Sequence, residues 1–177
     1  MDVLLHLGLS NCNMFLCTDD AKLCRHITSQ EDNISLQRAI DRFKNWSDTW
    51  LLELNVSKCK VVSYSMKDRT DTLYSISDNG ETYAMDKKDK IKDLGVTFDY
   101  RLTFHDHIQE KVNRAYSMLG LIKRNFIYMD SNTFILLYTS LVRPHLEYEN
   151  AVWCPYKIGY IEVIEKVQKG LLSLLYN

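Results

Sequence analysis

Proline is scarce in this chain, 2 in 177 residues, and glycine nearly so at 6. A loop-rich or collagen-like fold would need far more of both. Net charge is also missing: 22 basic and 23 acidic side chains leave −1, so no whole-chain attraction to nucleic acid or to an anionic membrane follows. Any such partner must be argued from local patches. Cys12, Cys17, Cys24, Cys59 and Cys154 are odd in number and include no C-x-x-C pair, which argues against a disulfide framework and against a zinc knuckle. No apolar run reaches the roughly 18 residues of a membrane span. The opening segment, with Asp2, His6, Asn11 and Asn13, lacks the basic start of a leader. The expectation is an intracellular chain, of the nucleus or cytoplasm, with no membrane partner.

What is present is core-forming material. Hydrophobic residues make up 46% of the chain and charged ones 25%, with 3 Trp, 11 Tyr and 6 Phe, which fits a globular chain rather than a disordered or fibrous one. Residues 12–18 and 21–27 read as two strands joined at Asp19-Asp20, because Asp tolerates the conformations of two-residue turns. From Ile34 to Leu54, Leu36, Ile40, Phe43, Trp46 or Ser47, Trp50 and Leu54 recur at steps of three and four, with Asp32 or Asn33 as N-cap. Strand-like runs follow at 60–65, 72–77 and 81–85, the last two around Asp78-Asn79-Gly80, where Asn-Gly is a strong hairpin signal. A single further strand is expected at 91–98.

The seam Ile108, Val112, Ala115, Leu119, Ile122 and Phe126 predicts a helix from about His105 to Phe126, and another helix spans 133–142, to be ended or kinked by Pro144. A last amphipathic helix runs from Ile158 to Tyr176. Strands come first and helices afterwards, an α+β pattern. The composition shifts near residue 100, so we expect a sheet-bearing part, 1–100, and a helical part, 101–177.

Two adjacent carboxylates on a tight hairpin concentrate negative charge that a proton or a cation must neutralise if the pair is buried. An Asp-Asp turn is more often simply solvated. The wider sequence around it nevertheless resembles the reverse transcriptase (RNA-directed DNA polymerase) of non-LTR, LINE-type retrotransposons. Met14-Phe-Leu-Cys-Thr-Asp-Asp-Ala-Lys-Leu23 looks like that family's motif C. Leu36-Gln37 through Asn45-Trp46-Ser47 and Trp50, then Asn55-Val-Ser-Lys-Cys-Lys60, is similar to the following helix and motif D. Lys92-Asp-Leu-Gly-Val96 resembles the strand near the primer grip, and Ser140-Leu-Val-Arg-Pro-His-Leu-Glu-Tyr148 with Val152-Trp153 and Pro155 resembles the element in and after the thumb.

The resemblance implies a partial palm, an antiparallel sheet with a packed helix entered at its catalytic hairpin, and then an all-helical thumb. It implies two-metal nucleotidyl transfer with two Mg2+ ions, an RNA template and a DNA primer. Asp19 would be the motif C metal ligand and Asp20 its neighbour. Lys58 would be the motif D lysine near the pyrophosphate, with a solvated strand-end lysine as the plain alternative. Motif A, motif B and the fingers have no counterpart here, Cys17 replaces an aromatic and Thr18 an Ala, so the isolated chain is expected to polymerise little or nothing.

On the 105–126 helix, His107, Lys111 and Arg114 flank the seam on one side and Lys123 on the other, where the resemblance would place the template–primer duplex and its phosphates. The lysine run 87–92 is interleaved with Asp89 and bounded by Asp86 and Asp93, and reads as a solvated loop. His105 and His107 lack a third ligand for a metal, and the tryptophans are assigned to packing. A different class remains open: a non-catalytic nucleic-acid or protein-interaction module. In either case the motif C hairpin, without the strand that normally pairs with it, offers an open edge for self-association.

Overall fold

The computed structural model describes residues 12–66, 72–126, 128 and 130–175, with side chains to residue 169. Residues 1–11, and with them most of the opening segment, lie outside the described part, as does Tyr176. Helices and small sheets are combined, an α+β chain. It divides into two compact units, Met1–Ser63 with Lys67–Lys88, and Tyr64–Met66 with Asp89–Asn177.

In the first unit β1 (Asn13–Cys17) and β2 (Asp20–Cys24) form an antiparallel hairpin. Its loop is Thr18-Asp19, one residue earlier than expected, and Asp20 already pairs with Cys17. Helix α1 (Gln30–Thr49) follows. Its N-cap is Ser29, upstream of the candidates Asp32 and Asn33, because Asp32 at the third helical position completes a capping box with the Ser29 hydroxyl and backbone. Trp50 lies beyond the helix end and is about half exposed.

A 3-10 turn, Val56–Lys58, leads to β3 (Lys60–Val62), and β4 (Ser75–Asp78) and β5 (Glu81–Ala84) close the predicted Asn79-Gly80 hairpin with φ of 50° and 83° at the two loop residues. Positive φ at both is what a twist-matched two-residue loop needs. Strand β6 (Asp86–Lys88) pairs in parallel with β3.

Two small clusters make the core of this unit. Met14 of the hairpin packs on Phe43 of α1 with Leu23, Trp46 and Leu54 around them. Ile40, Tyr74 and Ile76 form the other. The Gln37 carboxamide pairs with the Ser75 backbone, donating to its carbonyl at 2.8 Å and accepting from its N–H at 3.0 Å, so a helix side chain takes the place of a neighbouring strand. The Tyr74 hydroxyl donates to Asn33 Oδ1 at 2.9 Å, which satisfies that buried amide.

The second unit opens with β7 (Lys90–Asp93) and β8 (Val96–Asp99), an antiparallel hairpin where a single strand was expected. The lysine run is therefore strand rather than loop, with Lys90 on Asp106 and Lys92 on Glu110 across to the next helix. The sheets are four separate two-stranded pairs among the described residues, one of them parallel, and no continuous antiparallel sheet forms.

Helix α2 (His105–Asn125) buries Ile108, Val112, Ala115, Leu119 and Ile122, the seam read from the sequence, whereas Phe126 stays 43% exposed. Then come α3 (Ser131–Leu137), a π-helical turn (Tyr138–Val142), α4 (Arg143–Glu147), α5 (Asn150–Trp153) and α6 (Ile158–Leu175). Pro144 does not end the helical path. The chain widens into the π turn just before it, the Arg143 N–H reaches back to the Tyr138 carbonyl, and Pro144 sits in the first turn of α4, where its missing N–H is tolerated. One cluster of eleven buried apolar side chains, from Val96 through α2 to Trp153 and Val167, holds this unit.

Candidate nucleic-acid and metal site

The β1–β2 hairpin is fixed by chemistry at its base and strained at its tip. Behind it, Arg25 clamps Asp32 of α1 through Nε at 3.2 Å and a second nitrogen at 2.7 Å. The same carboxylate accepts the N–H groups of Thr28 and Ser29, both at 2.9 Å. Arg25 and these donors hold the Asp32 carboxyl well below the usual carboxylate range. At the tip, Thr18 has φ of 50°, an outlier for a β-branched residue, and its hydroxyl donates to the Cys17 carbonyl at 2.8 Å.

Asp19 and Asp20 follow directly and are both exposed. Lys58 is exposed at the end of the 3-10 turn, its N–H bonded to Asn55. No hydrogen bond or ion pair joins Lys58 to either Asp. Among the described residues no group of three or more His, Cys, Asp or Glu side chains is placed to hold a metal ion. Two adjacent carboxylates alone do not satisfy a divalent ion that takes six oxygens, still less two ions, so the hairpin supplies one side of such a site at most.

The α2 stripe divides in two. His107 is fully buried, which corrects its assignment to a phosphate-facing surface. It lies one position before Ile108 and is covered by β8 and Trp153: its Nδ1 accepts the Thr97 N–H at 3.2 Å, and its ring meets the Trp153 ring edge-on at 5.3 Å. Its Nε2 is buried with no hydrogen-bond partner. Burial, and next the Lys111 charge, push its pKa down to about 4.

Lys111 is also buried, 8% exposed, with its ammonium 5.2 Å from the Tyr148 ring centroid, and burial lowers its pKa. Arg114 and Lys123 are exposed, and Arg114 pairs with Glu110 at 2.9 Å.

Two further groups were not singled out from the sequence. Lys44 is buried on α1 between Asp48 and Asp78, tying the helix to the β4–β5 turn. The i,i+4 spacing of Lys44 and Asp48 was visible; the Asp78 partner was not. Tyr148 caps the β7–β8 loop, its hydroxyl donating to the Leu94 carbonyl at 3.0 Å over Gly95.

The sequence aligns with polymerases of mobile elements. It is 24% identical over 167 residues, 90% of this chain, to a probable RNA-directed DNA polymerase from transposon X-element of Drosophila melanogaster. It is 34% identical over 73 residues, 41% of the chain, to the RNA-directed DNA polymerase from mobile element jockey of the same fly, and 27% identical over 82% of the chain to the jockey polymerase of Drosophila funebris. The aligned stretches are 17%, 8% and 16% of those relatives, so the chain spans less than a fifth of their length. No protein-family model matches the chain, and no solved structure does.

Proposed function

We propose, from the premise that this chain is the counterpart of one stretch of a retrotransposon RNA-directed DNA polymerase, that it supplies the end of the palm and the thumb of such an enzyme. The observation that carries the reading is Asp19-Asp20 at the tip of an antiparallel hairpin seated on a helix, in a chain similar to these polymerases over up to 90% of its length. In this reading Asp19 is a ligand of a divalent metal pair, Mg2+ by resemblance, and Asp20 supports it. The metal would activate a primer hydroxyl toward a nucleoside triphosphate. The remaining ligands would come from outside the described residues, and Lys58, exposed at the end of the 3-10 turn, would be the cation for the leaving phosphates. Arg114 and Lys123 are the exposed cations of α2 that would meet the backbone of an RNA–DNA duplex.

The test is a fusion in which this chain replaces the matching stretch of an X-element or jockey polymerase. Magnesium-dependent primer extension is expected from the fusion, its loss on Asp19→Asn, and none from the chain alone. A folded fusion that extends no primer would discard the reading.

The exposed Arg114 and Lys123 of α2 support one other reading, a non-catalytic module that binds nucleic acid. In that case the chain alone binds an RNA–DNA duplex with an affinity that falls with salt and with Arg114→Glu and Lys123→Glu. Among the described residues no third strand joins the β1–β2 pair, which makes self-association through this hairpin part of both readings.

A further inference from the structure

The first turns of α2 and α6 enclose a groove of about 440 Å3, whose lining includes no residue of the β1–β2 hairpin and neither Arg114 nor Lys123. Its floor is apolar, from Ile108 and Val163. One wall is aromatic: the His105 and Tyr160 rings lie 5.6 Å apart, and His105 Nδ1 and the Tyr160 hydroxyl share a hydrogen bond of 2.9 Å. At the mouth the Lys157 ammonium stands 5.8 Å from the ring centroids of both Tyr160 and Tyr156, and Tyr156 is 69% exposed.

Charge is unbalanced here. No carboxylate lines the groove, and Lys157 has no ion-pair partner among the described residues. Asp106, the nearest acid on α2 in sequence, is taken by Lys90 at 2.7 Å. Gln109 adds an amide, and Gly159 leaves the rim open, since a Cβ there would meet nothing within 4 Å.

An apolar floor, ring faces beside it, one uncompensated cation and a few hydrogen-bonding groups suit a flat base with a polar edge attached to an anionic phosphate. We infer that this groove takes one unpaired nucleotide of a single-stranded nucleic-acid segment, with its base against the Tyr160 ring and its phosphate at Lys157. A base within a duplex has no free face to offer the rings, and an apolar protein side chain would leave the cation unanswered. The inference rests on the nucleic-acid reading above and deepens it, separating a strand contact here from duplex contacts at Arg114 and Lys123.

The experiment titrates the full chain with a fluorescein-labelled eight-nucleotide uridine RNA, read by anisotropy at several salt concentrations, beside a labelled RNA–DNA duplex. Tyr160→Leu should weaken single-strand binding about tenfold, within the range of base stacking on an aromatic ring. Lys157→Gln should make the slope of log affinity against log salt shallower by about 0.7, one phosphate contact fewer. Gly159→Leu should block the groove, whereas Gly159→Ala should not, and duplex binding should stay unchanged in all four. Wild-type affinity and salt slope in Gly159→Leu and Lys157→Gln would overturn the inference, as would equal loss of strand and duplex. A fusion that fails to extend primers leaves these titrations intact, and flat titrations leave primer extension intact, so the two ideas fail separately.

Discussion

His107 shows how a residue next to a helical seam acquires an acid-sensitive role. The ring must stay neutral, because its Nδ1 accepts from Thr97 and its Nε2 lies buried against no partner. In the unfolded chain a histidine takes up a proton near pH 6.5, whereas in the fold the pKa is pushed down to about 4. The unfolded state therefore binds more protons between these values, and stability should be full above about pH 6.5 and fall as the pH drops toward 4. The loss should be about 3 kcal/mol once the pH falls below 4, read as a shift of the urea midpoint. His107→Phe should be weaker at pH 7.5, since the Thr97 N–H loses its acceptor, yet show a flatter midpoint from pH 6.5 to 4.5; an unchanged slope would refute the assignment. Asp32 titrates in a different window. Its folded carboxyl is held well below the ordinary value by Arg25, so the stability it contributes is present above about pH 4 and lost only below that. Asp32→Asn should lower the melting temperature equally at pH 7 and pH 5, and the gap from wild type should close only in stronger acid.

Among the elements, those built on periodicity were legible and those built on contacts distant in sequence were not. The α2 seam could be read because Ile108, Val112, Ala115, Leu119 and Ile122 recur with the helical repeat, and Asn79-Gly80 because that dipeptide favours left-handed φ. The second hairpin hid because Leu94, at φ 43°, is a poor turn former, so the turn rests on a residue type that does not signal one. What holds that loop is Tyr148, more than fifty residues away, whose hydroxyl bonds the Leu94 carbonyl. Gly95, at φ 83°, is required twice over: a Cβ would sit in a backbone region costly for other residues and 3.0 Å from Tyr148 Cε1. Gly95→Ala should therefore destabilise the chain by about 1–3 kcal/mol. Tyr148→Phe, which keeps the ring and loses only the hydroxyl bond, should cost about 1 kcal/mol. Chemical denaturation separates the two, and a Gly95→Ala variant as stable as wild type would show that the loop relaxes freely. For Pro144 the sequence left two outcomes open, an end or a kink, and the helical path does not end there. The effect of the proline depends on whether the preceding turn can widen, and the π turn at Tyr138–Val142 does so.

At the scale of the whole chain, sequence order put 90–99 with the strands before it, whereas Val96 is buried in one cluster with α2, a grouping that only folded coordinates reveal. The acidic pair was legible as a motif, but the register that leaves Asp19 in the loop and puts Asp20 in β2 opposite Cys17 was not, because strand pairing fixes it rather than the turn residues alone. The distribution of core also predicts where the molecule opens. Eleven buried apolar side chains form one cluster around α2, while the hairpin bearing Asp19 and Asp20 rests on a cluster of two, Met14 and Phe43, with partly buried neighbours. Opening free energies follow such local burial, so backbone amides of Val112–Ile122 should exchange with solvent only through the largest openings, and those of residues 13–24 through small local ones. Hydrogen exchange followed by mass spectrometry should find the hairpin amides labelled at least about tenfold sooner, since 1.4 kcal/mol of opening energy corresponds to that factor at 25 °C. Protection in the hairpin equal to that of α2 would mean that the carboxylate pair is held by more than its own unit provides. A metal-dependent slowing of hairpin exchange in the fused polymerase, abolished by Asp19→Asn, would show instead that the missing ligands order it on arrival.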